Sequence, residues 1–206
     1  MIAGIELTEN GIQQKRTPVF KKRNIGESAK MALIRTEKRK VKKENAQGEL
    51  VDDLKENGAP KWELVLHGIA LKGNTMRASL SGEMVTLTDG DEVRMICRGG
   101  QYKDWIDAVK AFPGSVRAGD VVKFDITMAI PYISKTNKGA KLTTKEQVDQ
   151  HRENKPGQNL GLYGSMEIAR QTDANIITKC CDLHAEFNAI NLDNGPTVGD
   201  DDLADV

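Results

Sequence analysis

The sequence predicts a mainly β fold, in which a five-stranded antiparallel barrel with one helix lies between an extended basic N-terminal arm and an acidic, disordered C-terminal tail. Three observations predict it. Short alternating segments follow one another after residue 61, an amphipathic pattern interrupts them at Tyr102–Phe112, and charge is sorted along the chain. Lys and Arg balance Asp and Glu at 30 each, but residues 15–43 hold twelve Lys or Arg and two Glu, whereas residues 180–206 hold seven acidic and no basic residues. The neutral total therefore conceals two oppositely charged ends.

The first 60 residues are predicted to form the basic arm and an acidic linker. Large apolar side chains are few there and follow no sustained period, so the segment has little with which to build a core. A short helix over Glu27–Lys43 that forms on a partner is expected. The charge reverses over Glu44–Glu56, and Asn57-Gly58-Ala59-Pro60 marks a boundary. The predicted regions are thus residues 1–60, a domain over 61–192 and a tail over 193–206.

The strands of the domain are predicted from alternation between turn residues. Gly, Asn and Asp separate four segments that predict an antiparallel meander: Trp62–Leu71, Thr75–Leu80, Met84–Thr88 and Glu92–Cys97. The helix repeats apolar residues at three- and four-residue spacing and ends at Pro113-Gly114. Two further strands, Val121–Ile133 and Leu160–Ala169, flank a polar connection over residues 134–158. The segment Asn175–Leu192 fits either a strand or a helix.

A helix between the third and fourth of five strands is the plan of the OB-fold, a small Greek-key barrel. The predicted fold class is therefore OB-fold-like. Another small antiparallel barrel or a sandwich with one helix fits the same pattern.

The sequence carries no motif typical of an enzyme or of a cofactor site. It lacks G-x-G-x-x-G, a phosphate-binding G-x-x-x-x-G-K, H-E-x-x-H and G-x-S-x-G, so we expect a non-enzymatic protein without a cofactor. Cys180, Cys181 and His184 come nearest to a metal-ligand cluster, but a buried thiol pair is the favoured interpretation. Apolar runs are too short for a membrane span and no secretory signal is present, which predicts a cytoplasmic protein.

Nucleic-acid binding is predicted from basic and aromatic residues together. Proteins that bind single strands combine a groove of Lys and Arg with aromatic rings on which bases stack. The lysine-rich connection after Tyr132 corresponds to an OB-fold loop that commonly contacts the bound strand. Trp105, Phe112 and Phe124 lie on apolar faces and are more typical of a core. The candidate binding residues are Trp62, Arg77, Arg94, Arg98, Tyr102, Lys123, Tyr132, Lys135, Lys138, Lys141 and Tyr163.

The region from about Trp62 to Arg170, with the acidic end of the chain, resembles single-stranded DNA-binding proteins of the bacterial and bacteriophage type. The resemblance implies an OB-fold that coats single-stranded DNA in replication and recombination, with homo-oligomers possible in this family. It also implies a tail that recruits replication and repair proteins and competes for the DNA groove. The basic arm and the absence of a Pro-Phe ending depart from bacterial members. The arm and the long loop after the fourth strand fit a phage-encoded version in the host cytoplasm. The tail residues concerned are Asp200, Asp201, Asp202, Asp205 and Val206.

Two other functions fit the same sequence. One is a virion or assembly component whose basic arm threads between neighbouring subunits. The other is an architectural protein that binds duplex DNA through the arm alone, by contacts to phosphates.

Overall fold

The computed structural model describes the backbone of residues 5–8 and 11–14, and the chain over residues 17–55, 57–133 and 138–192. In these residues the protein is mainly β, with a curled eight-stranded sheet that forms a half-barrel, and it has three helices. None of the described helices is both long and apolar enough to cross a membrane. The strands are β1 Ile5–Thr8, β2 Gly11–Gln14, β3 Val19–Phe20, β4 Ser28–Lys40, β5 Lys42–Glu44, β6 Leu50–Asp52, β7 Trp62–Ala70, β8 Ala78–Leu80, β9 Glu83–Val85, β10 Glu92–Cys97, β11 Val121–Pro131 and β12 Leu160–Ala169, and the helices are α1 Gly100–Ala111, α2 Lys145–Asn154 and α3 Ala174–Leu192.

The sheet contains strands that are distant in the sequence. Its order is β12-β11-β4-β7-β10-β3-β8-β9, while β1–β2 and β5–β6 form two separate hairpins. The sheet has eight strands instead of the predicted five because β3, β8 and β9 extend it beyond β10. The strands predicted at β7, β10, β11 and β12 and the helix predicted at α1 are present. The meander is wrong, since β7 pairs directly with β10 and β8 pairs with β3 and β9.

Residues 17–44 differ most from the prediction, because they contain strands of the sheet where an arm was expected. β4 pairs antiparallel with β7 on one side and with β11 on the other. Its first half is buried from Met31 to Ile34. A strand covered on both faces has a continuous apolar run in place of alternation, and here that run is short and lies between basic residues. The extended arm is therefore wrong over this range, and so is the helix predicted at Glu27–Lys43.

The single predicted helix is one of three in the described residues. The polar connection after β11 contains α2, whose start is fixed by a capping box between Thr144 and Gln147. The segment that fitted a strand or a helix is the helix α3. The predicted tail, residues 193–206, lies outside the described residues.

Helices α1 and α3 pack on opposite faces of the sheet. Met31 pairs with Ala70 and the next residue, Ala32, pairs with Ile69, so alternate residues point to opposite sides. We call the side covered by α1 the core face and the other side the α3 face. The core face contributes Met31, Leu66, Met95 and Phe124 to the cluster with Trp105 of α1, and the α3 face contributes Ala32, Ile34 and Ile69 to the cluster with Cys180 of α3.

One extra residue in β4 determines which side chains reach the α3 face. Leu33 pairs with Gly68 and Arg35 pairs with His67, so Ile34 is an insertion without a partner on β7. From Arg35 onward, odd-numbered residues of β4 lie beside odd-numbered residues of β7. Charged side chains of β4 are thereby directed to the same face as Ile69.

Candidate nucleic-acid interface

Three cross-strand rows of side chains cover the α3 face of β4, β7 and β10. From β4 to β10 they are Arg35, His67 and Arg94, then Glu37, Val65 and Ile96, then Arg39, Glu63 and Arg98, where Arg98 directly follows β10. We call the charged members of these rows the arginine face. Four arginines against two glutamates give this surface a net charge of +2 when His67 is neutral.

The two glutamates hold three of the four arginines. Arg35 Nη1 lies 3.3 Å from Glu37 Oε2, and His67 Nε2 lies 2.9 Å from the same oxygen. Arg39 Nε donates to Glu63 Oε1 at 2.7 Å, and Arg98 Nε donates to the other oxygen of Glu63. Glu63 is buried. Its carboxylate connects β7 to Arg39 of β4 and to Arg98, which directly follows β10.

Burial and hydrogen bonding set the charges of His67 and Glu37. Burial lowers the pKa of His67, and the carboxylate of Glu37 offsets this only in part. The hydrogen bond from His67, with the charges of Arg35 and Arg39, lowers the pKa of Glu37 to about 2. At neutral pH, His67 is therefore an uncharged donor to an ionised Glu37.

Trp62 begins β7 next to the buried Glu63. Its side chain is 44% exposed, and Lys38 Nζ lies 5.4 Å from the centre of the ring system. It pairs across the strands with Lys40. An exposed aromatic ring beside a lysine is an arrangement on which a base can stack while its phosphate meets positive charge. Lys40 is already paired, since its Nζ lies 3.1 Å from Asp52.

Tyr132 and Tyr163 form a second aromatic group, where β11 and β12 meet the long connection. Their hydroxyls are hydrogen-bonded to each other, which raises the pKa of Tyr163 to about 12 and keeps it neutral. Lys138 Nζ lies 5.9 Å from the centre of the Tyr132 ring. Gly161 lies against both rings, since a Cβ there would be 2.6 Å from Tyr132 Cε2 and 2.9 Å from Tyr163 Cε2.

The remaining predicted residues do not join these groups. Arg77 is exposed before β8, and Tyr102 packs against the core from α1. Lys123 Nζ lies 2.6 Å from Asp125 on β11, and Lys141 is exposed on the connection after Lys138. The predicted residues that lie outside the described part of the chain are Lys135, Asp200, Asp201, Asp202, Asp205 and Val206.

Arg35, Arg39 and His67 belong to the arginine face but were not among the candidates. The signal was present as alternation, because Arg35, Glu37 and Arg39 occur at every second position. This spacing places charged side chains on one face of a strand, whereas an arm requires no spacing.

The cysteine and histidine group near the end of α3 has no metal-site geometry. Among the described residues, no group of three or more His, Cys, Asp or Glu side chains could hold a metal ion. Cys180 is buried, its Sγ lies 3.9 Å from the carbonyl oxygen of Ala32, and burial raises its pKa to about 11. Cys181 is exposed, and His184 contacts Asn188.

Comparison of the chain with protein-family models, with curated proteins and with solved structures found no match. Its function is therefore inferred from its own residues.

Proposed function

We propose that the protein is a non-enzymatic single-stranded DNA-binding protein built on an OB-type barrel, which coats DNA during replication or recombination. In this proposal it is phage-encoded, acts in the host cytoplasm and recruits partner proteins through the acidic residues at its C-terminus.

The order of the long strands supports the OB-type architecture. Numbered along the chain, β4, β7, β10 and β11 are the first to fourth strands, and their order in the sheet is fourth, first, second, third. This is the order of a Greek key, and β12 adds a fifth strand beside the fourth. The helix α1 lies between the third and fourth strands, as in the OB-fold.

The observation that carries the functional proposal is the position of the arginine face. In OB-folds the second and third strands, with the loops that follow the first and fourth strands, bind oligonucleotides. Here the second and third strands are β7 and β10, which carry His67, Arg94 and the buried Glu63. The two corresponding connections, residues 41–61 and 132–159, are long; the second contains five lysines, whereas three of the four lysines of the first are ion-paired with Asp52 or Asp53.

The aromatic groups lie at the ends of these strands, and Trp62, one residue before Glu63, is directed to the side of β7 opposite the arginine face. Trp62 begins the second strand, and Tyr132 and Tyr163 lie where the fourth and fifth strands meet their connection. Stacking on such rings contributes about 1–3 kcal/mol per base and tolerates any sequence. Release of counterions by the basic residues would add affinity that falls with salt.

The test is a titration of a fluorescent dT oligomer and of a duplex of equal length, at about 50 and about 200 mM NaCl. We expect tighter binding of the single strand and weaker binding at the higher salt. Replacing Trp62 with Ala should weaken single-strand binding by about 1–3 kcal/mol. The control is Thr86→Ala, an exposed and uncharged side chain that directly follows β9 and lies outside both connections.

Two outcomes would overturn the proposal in favour of its alternatives. Equal affinity for single strand and duplex would favour an architectural duplex-binding protein. A large closed assembly in light scattering, combined with no DNA binding at either salt, would favour a virion component.

A further inference from the structure

Arg94 differs from the other arginines of the arginine face because no carboxylate neutralises it. Arg35 pairs with Glu37, and both Arg39 and Arg98 pair with Glu63. Arg94 makes no such ion pair with any carboxylate in the described part of the chain. Its Nη2 donates to the backbone carbonyl of Thr17 at 2.9 Å, and its buried Nε has no acceptor among the described residues.

The surroundings of Arg94 are positive. It lies in one row with Arg35 and His67, and the charges of Arg39 and Arg94 repel each other. Burial and this repulsion lower the pKa of Arg94, and the negative charge of Glu37 offsets the effect only in part. A half-buried, unpaired guanidinium is unfavourable in the free protein, and a bound oxyanion would remove that penalty.

We propose that Arg94 is a discrete subsite for one backbone phosphate of the bound nucleic acid. This inference rests on the proposed function and adds that the arginines of this face are not equivalent. A guanidinium presents N–H donors in a planar fork that matches a phosphate group. Arg94 directs its one hydrogen bond among the described residues to a neutral carbonyl oxygen, whereas Arg98 Nε already donates to the carboxylate of Glu63.

Arg98 provides a matched control for this subsite. It lies four residues from Arg94 and follows the same strand, but Glu63 already compensates its charge. The pair Arg94→Met and Arg98→Met removes the same charge in both cases and keeps an apolar stem for packing. Because Arg94 lacks an ion pair, its loss should not unfold the protein, and circular dichroism with thermal unfolding checks this in both variants.

The primary measurement is the salt dependence of binding of the full chain to a dT oligomer. We expect Arg94→Met to reduce the slope of log affinity against log salt by about 0.7, the value for one phosphate contact on a single strand. We expect its affinity to fall about tenfold at the lower salt, because a charge-assisted contact is lost. Arg98→Met should reduce the slope and the affinity less than Arg94→Met does, because Glu63 already compensates the charge of Arg98.

A second measurement separates failure of the subsite from failure of the proposed function. Thermal unfolding is followed in sodium phosphate and in sodium chloride of equal ionic strength. Preferential stabilisation of the wild type by phosphate, lost in Arg94→Met and retained in Arg98→Met, supports the subsite even if no DNA is bound. If the wild type binds the oligomer but both variants change the slope equally, the subsite is wrong and the proposed function stands. Equal stabilisation of the wild type and Arg94→Met by phosphate also overturns the subsite.

Discussion

The aromatic ring of Phe187 lies on the guanidinium of Arg35, with 3.2 Å between Arg35 Cζ and the centre of the ring. The helix α3 packs its earlier turns on the sheet through Ile176, Cys180 and Leu183. Phe187, farther along α3, contacts Arg35 in the first row of the arginine face. The side chain of Arg35 is only 12% exposed. The ring of Phe187 therefore separates Arg35 from a nucleic acid that lies along the arginine face.

Replacing Phe187 with Ala should loosen the end of α3 without unfolding the domain. A cation–π contact contributes about 0.5–1 kcal/mol at exposed sites and about 2 kcal/mol when desolvated. Because Arg35 is largely buried and the ring also covers apolar surface, we expect the free energy of unfolding to fall by about 2 kcal/mol. Amide hydrogen exchange in residues 184–189 should become faster, because Phe187 holds this turn on the sheet. Urea denaturation and exchange mass spectrometry measure the two effects. The control is Glu186→Ala, an exposed side chain on the same turn, and equal exchange rates in the two variants would contradict the prediction.

The local pattern was enough to predict elements that are stabilised by near neighbours in the chain. The helix α1 repeats its apolar residues at helical spacing, and Trp105 faces the core as that spacing requires. The pairing of distant strands leaves no comparable local signal. Val19 pairs with Ser79, and β4 enters the centre of the sheet through contacts with β11 and β7. Pattern alone therefore identified the strands after residue 61, but neither the earlier strands nor the order of strands in the sheet.

Local sequence pattern also could not distinguish single residues of the candidate site from one another. Arg94 and Arg98 are alike in sequence, being two arginines near the end of one strand. The buried carboxylate that distinguishes them is on another strand, and its burial depends on the whole sheet. Arg98 was therefore predicted as a binding residue although its donors are directed at Glu63.

Replacing Glu63 with Gln should destabilise the sheet at the third row of the arginine face. The side chain of Glu63 is only 3% exposed and accepts from Arg39 and Arg98. We expect the free energy of unfolding to fall by roughly 1–3 kcal/mol, since two charged hydrogen bonds lose their carboxylate. The partial exposure of both arginines keeps the loss below that of a wholly buried ion pair. Urea denaturation checks this against Glu83→Gln, an exposed residue of β9, and an equal loss in both variants would be inconsistent with it.

The pair of His67 and Glu37 predicts loss of stability in acid. Burial lowers the pKa of His67 in the folded state, so the unfolded chain binds its proton first as the pH falls below about 6.5. The pKa of Glu37 is also lowered, to about 2, and its contribution to stability is lost as the pH falls from its unfolded value of 4.5 towards 2. Both effects have the same sign, and stability should decrease steadily from pH 7 to acid.

The variant His67→Gln separates the two groups. Gln keeps a donor for Glu37 but does not titrate, so stability between pH 7 and 5 should depend less on pH than in the wild type. The decrease at lower pH, which belongs to Glu37, should remain. Denaturation midpoints across this range test the difference, with His184→Gln on α3 as the control. A wild-type pH profile in His67→Gln would show that another group is responsible.

Replacing Gly164 with Ala should separate β12 from β11. Gly164 lies opposite Ile126, next to the irregularity between Ile126 and Met128. A Cβ at this position would lie 1.9 Å from the carbonyl oxygen of Asp125, and a backbone atom cannot move away as a flexible side chain can. We expect the variant to lose about 3 kcal/mol of unfolding free energy, the upper end for overpacking, because the strands must move apart. The control is Gly100→Ala, where a Cβ would lie 3.4 Å from Tyr163 and Ala favours the helix that begins there. The control should therefore unfold at or slightly above the wild-type midpoint, and a Gly164→Ala midpoint equal to it would contradict the close approach of β11 and β12.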